Sequence, residues 1–266
     1  MNNIDKKMRQ SMDITEEPLH IDELHEKKIM ELAYPSDRPE KGIIKNFRTA
    51  DHETPIVSVP IELLRFRVEN GRIARDVMSK KIEEDGFFKD NTDSASKFIA
   101  KSLWAKDKKA CEVLYKSILG DEQNEPAIIT ADGQVIDGNR RLAIVKRLYE
   151  EKQDKKYGSM KCLILPGNKK YSNPIKRNDI TSPPTKTEIT KLEIYFQLSQ
   201  EAKSEYSDFD KALTRRNYKN QDKISFEAQV KMDTSFANAT TKEIEKAVKK
   251  FEKDERCLEI VDQYLA

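Results

Sequence analysis

The sequence predicts an α+β fold, in which a small mixed sheet with helices is followed by a helical C-terminal part. Glycine is scarce, with 8 residues in a chain of 266, and periodic stretches rich in Lys and Glu indicate that helices dominate. Short apolar runs beside Gly or Pro predict a few strands. Beyond residue 186 the helical periodicity continues to the end of the chain.

The chain begins with a polar region, residues 1–54. Its scattered apolar residues predict one or two short helices before Pro35, and the remainder is expected to be partly disordered. The predicted core, residues 55–166, opens with a short strand over residues 56–59. Asn70-Gly71, in the segment VENGRI, then predicts a turn.

Helix and strand patterns alternate through the rest of this core. Apolar residues at helical spacing predict a helix over residues 94–120, interrupted near Asp107. Two apolar runs around Asp132-Gly133 predict a hairpin with a two-residue turn. The second run leads into an amphipathic helix that begins after Gly138, and a further strand is predicted over residues 160–166.

Residues 167–186 have the composition of a linker, because prolines interrupt a basic stretch that has no periodicity. The last region, residues 187–266, is predicted to be helical. Its segments are expected near residues 187–201, 208–217, 225–232 and 241–264.

The composition excludes several classes of protein. The formal net charge is only +2, so a surface for nucleic acid would need local clustering of basic residues. The three cysteines are scattered and have no zinc-ligand spacing, which fits a reducing compartment. There is no signal-peptide pattern at the N-terminus and no run of transmembrane length, so a cytoplasmic protein without a membrane partner is predicted.

Two arginines stand where the predicted core helix begins, in the stretch VIDGNRRLAIVKRL. The first turn of a helix carries the positive end of the helix dipole and favours acids. One interpretation is that Arg140 and Arg141 only extend into solvent. The other is that an anion binds there, with Gly138 allowing close approach of the backbone and Asn139 capping the helix or binding a ligand.

A longer stretch, NEPAIITADGQVIDGNRRLAIVKRL, resembles the central motif of the ParB/sulfiredoxin-like superfamily, which includes ParB N-terminal-like and ParB-like nuclease domains. There a helix, a strand hairpin and a Gly-x-Arg-Arg turn occur in this order. VLYKSILGDEQNEPAII resembles the helix before the hairpin, and VSVPIELLRFRVENGRI resembles the opening strand. The resemblance covers about residues 56–166 and implies a ParB/sulfiredoxin-like core in that part of the chain.

The resemblance implies that residues 138–141 bind nucleotide phosphate. The ligand would be a nucleoside triphosphate, ATP or CTP, together with Mg²⁺. If the fold is shared, the VENGRI segment lies near the same turn, so Asn70 and Arg72 are further candidate phosphate ligands.

An acidic motif follows the core in that superfamily, Glu-Asn-x-x-Arg, in which the Glu can hold the metal. The nearest stretch here is EIYFQ, so the resemblance implies Glu193 as metal ligand and as a candidate catalytic acid. Ile194 and Gln197 replace the Asn and the Arg, which argues against the clamp behaviour of segregation ParB proteins. Asp137 is a second candidate catalytic acid, and Glu69 a third.

Sulfiredoxin chemistry requires a Cys inside the phosphate turn, and residues 138–141 contain none. A separate basic cluster, LTRRNYKNQDK, supplies Arg215, Arg216 and Lys219 around Tyr218. Such a cluster suits contact with a nucleic-acid backbone, or it is a solvated helix end. The final helices lack a basic recognition helix, so sequence-specific DNA reading is not favoured.

Three hypotheses for the function follow. The first is a ParB-like nucleotide-binding protein, and possible slow NTPase, that acts on or beside DNA in a plasmid, phage or defence setting. The second is a non-catalytic DNA-binding or adaptor module of the same fold. The third is a metal-dependent nuclease, which would need converging carboxylates. A homodimer or a protein partner is compatible with each.

Overall fold

A four-stranded mixed sheet forms the centre of the protein in this computed structural model, which describes residues 19–33, 40–48, 50–89, 92–121, 123–167, 182–198, 208–220, 224–232 and 239–265. The strand order is β3–β6–β4–β5, where β3 pairs with β6 antiparallel, β6 with β4 parallel and β4 with β5 antiparallel. The strands are β3 (Val57–Pro60), β4 (Ala127–Ile129), β5 (Val135–Asp137) and β6 (Ser159–Ile164). The α+β class predicted from the sequence is therefore confirmed.

The sheet is covered on both faces. Successive side chains of a strand point to opposite faces, and here buried apolar side chains lie on both. On one face its buried residues pack with the helices between β3 and β6 and with one helix that precedes β3. That face carries Val57, Val59, Ala127, Ile129, Val135, Met160, Cys162 and Ile164. On the other face the buried residues pack with an N-terminal hairpin and a later helix. This second face carries Ile128, Ile136, Leu163 and the following Leu165.

Helices occupy the first face. They are α1 (Glu23–Ala33), α2 (Ala74–Glu83), α3 (Asp93–Lys106), α4 (Lys108–Gly120) and α5 (Asn139–Lys152). The predicted interruption near Asp107 is confirmed, because Asp107 separates α3 from α4. Its carboxylate accepts a hydrogen bond from the N–H of Ala110 at 3.0 Å and so caps α4.

The predicted hairpin is present, but its turn differs from the prediction by one residue. The N–H of Gly133 donates to the carbonyl of Thr130 at 2.9 Å, which places Ala131 and Asp132 at the centre of the turn. Gly133 follows with φ +86°, the left-handed conformation that glycine tolerates best. Asp132 accepts from the hydroxyl of Thr130 and pairs with Arg65, each at 2.6 Å, so it is a turn residue.

The second face is covered by a hairpin that precedes the core in the sequence and by a helix that follows it. Strands β1 (Lys41–Phe47) and β2 (Ala50–Pro55) form an antiparallel hairpin that was not predicted from the sequence. Ile44 and Phe47 of β1 are buried there with Ile189 and Leu192 of helix α6 (Lys186–Glu193). Part of the polar N-terminal region therefore completes the core.

The predicted helical C-terminal part is confirmed within the described residues. It consists of α7 (Asp208–Asn220), α8 (Phe226–Met232) and α9 (Thr241–Leu265). The hydroxyl of Thr214 in α7 donates to the carbonyl of Gly71 at 3.4 Å, which joins this part to the core. Most of the predicted linker, residues 168–181, lies outside the described residues. Among the described helices, none has the length and apolar character needed to cross a bilayer.

Candidate functional site

Helix α5 begins in an unusual way, directly after strand β5. Gly138 precedes the helix with φ +102°, and its carbonyl accepts from the N–H of Leu142 at 2.9 Å. The N-cap residue Gly138 has no side chain with which to cap the first turn of α5. The first N–H groups of a helix lack intrahelical partners and carry the positive end of its dipole. This end of α5 is therefore suited to an anion.

Glycine is required at position 138 for two reasons. The φ of +102° strains any residue that has a Cβ, and a Cβ there would lie 2.9 Å from that of Ala127 and 3.2 Å from Nη1 of Arg141. Gly138→Ala should lower the free energy of unfolding by about 1–3 kcal/mol in urea denaturation. Gly120→Ala is the matched control, because a Cβ added at position 120 would have no atom of the described residues within 4 Å. Equal stability of the two variants would contradict the requirement.

The side chain of Asn139 is used by the fold, which corrects the expectation that it binds a ligand. It is 3% exposed, its Oδ1 accepts from the N–H of Arg67 at 3.1 Å, and its Nδ2 donates to the carbonyl of Val135 at 2.9 Å. The amide thus ties three chain segments together. Buried amides are held in this way because an unmade hydrogen bond costs about 1–3 kcal/mol.

Arg140 and Arg141 are largely covered, not extended into solvent. Their side chains are 15% and 11% exposed. Nη1 of Arg140 lies 3.5 Å from Oδ2 of Asp107, and Nη2 of Arg141 lies 3.2 Å from Oε2 of Glu125. Nη1 of Arg141 is buried and has no hydrogen-bond partner in the described part of the chain. A guanidinium with an unused buried donor retains the capacity to bind an oxyanion.

These groups line an open cleft of about 880 Å³, which lies beside the start of α5 and strand β1. Its size falls in the range of small-ligand sites. Its basic side chains are Lys41, Lys45, Arg72, Arg140 and Arg141. Its acidic side chains are Glu40, Glu125 and Asp137. The balance of charge around the cleft is thus positive.

The two candidates in the VENGRI segment have different places. Arg72 lines the cleft together with Arg140 and Arg141. Asn70 is fully buried and does not line it. Its Oδ1 accepts from the N–H of Arg72 at 3.0 Å and caps the 3₁₀ turn Gly71–Ile73. Asn70 is therefore corrected from a candidate ligand to a residue that shapes the turn carrying Arg72.

Glu193 does not fit the role of metal ligand or catalytic acid, which corrects that expectation. It is 1% exposed, and its two carboxylate oxygens accept from Nε and Nη2 of Arg67 at 2.7 and 3.2 Å. Burial opposes the charge on Arg67, but the carboxylates of Glu193 and Glu69 outweigh it and raise the pKa of Arg67. The guanidinium supplies the positive charge that a divalent ion would otherwise bring.

Of the three predicted acids, Glu69, Asp137 and Glu193, Asp137 alone lines the cleft. It ends strand β5 opposite Ile128 and is half-buried. No group of three or more His, Cys, Asp or Glu side chains in the described part of the chain is arranged to hold a metal ion. The described residues therefore do not fit a Mg²⁺ ion held by the protein alone.

Packing against the last helix occupies Arg215 of the basic cluster on α7, which corrects the expectation that this residue contacts nucleic acid, whereas such contact by Arg216 and Lys219 stays a prediction. The guanidinium of Arg215 lies 3.8 Å from the ring centroid of Phe251. The ammonium of Lys219 lies 2.6 Å from Glu255 and 4.8 Å from the ring of Phe226. Arg216 is half-buried on the same helix. Cation–π and ion-pair contacts of this kind hold α9 against α7 and α8.

Among the described residues, no cysteine lines the cleft. Cys111 and Cys162 are buried in the core, and burial raises the pKa of each thiol. Cys257 is exposed on α9. If the cleft binds an anion, replacing Cys111 and Cys162 by Ala and Cys257 by Ser should change that affinity by less than about twofold in calorimetric titration, because none of them lines the cleft. Loss of binding in a triple variant that still melts cooperatively would contradict this.

Two parts of the cleft were missed in the sequence. Lys41 and Lys45 come from the unpredicted hairpin, and Tyr195 and Phe196 come from a π-helical turn, Ile194–Leu198, that directly follows α6. The adjacent β-branched residues Ile43 and Ile44 in KGIIKNF are a weak strand signal for the first pair. No local pattern indicates a π-helical turn, which depends on tertiary packing.

A second cavity of about 640 Å³ lies between α3 and α5. Its apolar walls include Phe66 and Trp104, and the ammonium of Lys146 lies 5.4 Å from the ring of Phe66. Burial lowers the pKa of Lys146. None of the residues singled out in the sequence lines this cavity, so it is not the candidate phosphate site.

The chain matches no family model, no curated protein and no solved structure. Kinship with ParB/sulfiredoxin-like proteins thus stays a prediction based on the motifs quoted above. The function must be argued from the chemistry of the cleft itself.

Proposed function

We propose that this protein binds a nucleoside triphosphate, ATP or CTP, through its phosphates at the N-terminus of α5, and that it acts on or beside DNA as a ParB/sulfiredoxin-like protein. The observation that carries the first part is the convergence of Arg72, Arg140 and Arg141 on one cleft at a helix start. The DNA part, with its plasmid, phage or defence setting, is based on the resemblance alone.

The placement of two cations at a helix N-terminus supports this proposal. The dipole makes them unfavourable there by about 0.3–1 kcal/mol each, an effect that a bound anion reverses. Partial burial increases the benefit, because Coulomb interactions are stronger away from bulk water. The buried Nη1 of Arg141 provides a donor already directed away from water. A phosphate would thus add to the compensation that Asp107 and Glu125 already provide for the two arginines.

The same cleft supports binding better than catalysis. Asp137 is the only one of the three predicted acids in it, since Glu193 is held by Arg67. A Mg²⁺ ion would have to enter with the nucleotide, and no chemical step is assigned to it. Among the three hypotheses, a nucleotide-dependent switch or adaptor is therefore favoured over a nuclease, which needs converging carboxylates.

Calorimetric titration of the intact protein with ATP, CTP and GTP tests the proposal. Each titration is made with and without Mg²⁺, and a short DNA duplex is titrated in parallel. At least one triphosphate should bind with 1:1 stoichiometry, and binding should weaken with salt because it is electrostatic. Absence of binding by all three nucleotides would reject the proposal, and cleavage of the duplex would favour the nuclease.

A further inference from the structure

Two aromatic side chains line the same cleft as the three arginines. Tyr195 and Phe196 are half-buried, and their rings meet edge to face with centroids 5.0 Å apart and planes at 89°. Phe196 packs against the buried cluster on the second face of the sheet, which includes Ile44 and Leu192. Tyr195 is outside that cluster, and its hydroxyl makes no hydrogen bond within the described residues. Phe196 thus supports Tyr195, which lies against the open cleft.

Short hydrogen bonds connect the aromatic pair to the start of α5. Glu193, two residues before Tyr195, accepts two hydrogen bonds from Arg67. The backbone N–H of Arg67 in turn donates to Asn139, in the first turn of α5. All three polar side chains in this chain of contacts are buried. The distance between the aromatic pair and the arginines is therefore held by the fold, as a ligand that spans both requires.

The backbone at this point is also irregular. Ile194–Leu198 forms a π-helical turn that continues α6. Such turns are rare and often occur at functional sites, because they give up regular packing to redirect side chains. Here the irregular turn carries both aromatic residues of the cleft, directly after the anchored Glu193.

We infer that Tyr195 is the stacking platform for the base of the nucleotide whose phosphates bind Arg72, Arg140 and Arg141. The inference rests on the proposed function and deepens it, because it assigns the side chain that binds the base of that nucleotide. Every base has a π-face, so stacking on an aromatic ring strengthens binding without requiring one particular base. The loss expected on removing the ring is roughly 5- to 150-fold in affinity.

The test compares the tightest-binding nucleoside triphosphate with inorganic tripolyphosphate, which has the phosphates but no base. Both are titrated into the intact protein and into the variants Tyr195→Leu and Tyr195→Phe. The parent should bind the nucleotide more tightly than tripolyphosphate. Tyr195→Leu should remove most of this difference and leave tripolyphosphate affinity within about twofold, whereas Tyr195→Phe should retain it because the ring remains.

A fluorescence measurement keeps the inference testable if Tyr195→Leu fails to fold. The chain has one tryptophan, Trp104, which does not line the cleft. In a Trp104→Phe background, Tyr195→Trp places the only indole at the platform. Nucleotide should quench its emission through stacking, and tripolyphosphate should not.

The outcomes separate this inference from the function on which it rests. If tripolyphosphate and nucleotide bind the parent equally well, the phosphate site stands and the platform is rejected. Equal weakening of both ligands by Tyr195→Leu, in a variant that melts like the parent, also rejects it. If neither ligand binds the parent, the proposed function and the platform fail together.

Discussion

Arg67→Met is expected to lower the free energy of unfolding by about 3–5 kcal/mol, because it leaves the carboxylate of Glu193 buried without a counter-charge. The two side chains are 7% and 0% exposed, so water cannot replace the lost partner. The hydrogen bond from residue 67 to Asn139 uses the backbone N–H and survives the substitution. Equilibrium unfolding in urea, followed by circular dichroism, measures the change.

The double variant Arg67→Met/Glu193→Leu is the control for this pair. It removes both charges and fills a similar volume with apolar groups, which is often neutral or stabilising for a buried ion pair. Most of the stability lost in the single variant should therefore return. Two results would show that the unpaired charge does not cause the loss of stability. One is a free energy of unfolding of Arg67→Met within about 1 kcal/mol of the parent, and the other is a double variant as unstable as the single one.

Arg141→Ala is expected to weaken nucleotide binding on the order of 10- to 150-fold, since a hydrogen bond to a charged group contributes about 1.5–3 kcal/mol. Its stability should stay within about 1 kcal/mol of the parent. Its ion-pair partner Glu125 is 69% exposed, and such pairs contribute little. Removing a cation from a helix N-terminus also relieves an unfavourable dipole interaction. Calorimetric titration and thermal melting give the two values.

Arg147→Ala is the matched control on the same helix. Arg147 pairs with Glu151 at 2.6 Å and lies 4.2 Å from the ring centroid of Trp104, and it does not line the cleft. Like Arg141→Ala, the Arg147→Ala substitution removes one positive charge from α5, but it should leave nucleotide affinity unchanged. Equal weakening by both variants would show that total charge matters and the cleft does not. Unchanged affinity in Arg141→Ala would place the anion elsewhere.

Local signals in the sequence predicted most of the central architecture. The interruption at Asp107 was predictable because a carboxylate can cap a helix three residues ahead of it. The hairpin was predictable from two short apolar runs around a Gly, although the turn itself is shifted by one residue. Helix α5 was predictable from its periodicity, and the two arginines at its start pointed to the cleft.

Two of the assignments that failed, those of Glu193 and Arg215, share a physical cause, which is the distance along the chain to the partner residue. Glu193 was predicted to hold a metal from its neighbours in sequence, but its partner Arg67 lies 126 residues away. Arg215 was predicted to contact nucleic acid, but Phe251 of the last helix stacks on it. Burial and charge pairing are decided by whatever the fold brings next to a residue, and no local pattern encodes that neighbour.

What the sequence by itself determined is most of the helices and strands of the core over residues 55–166, because helix periodicity, turn residues and caps act within a few residues of one another. It also determined that two cations stand at the start of α5. Only the tertiary structure decided that Lys41, Arg72 and Tyr195 join them around one cleft. These residues come from three separate elements, and hydrophobic burial on both faces of the sheet, which is non-directional, brings those elements together.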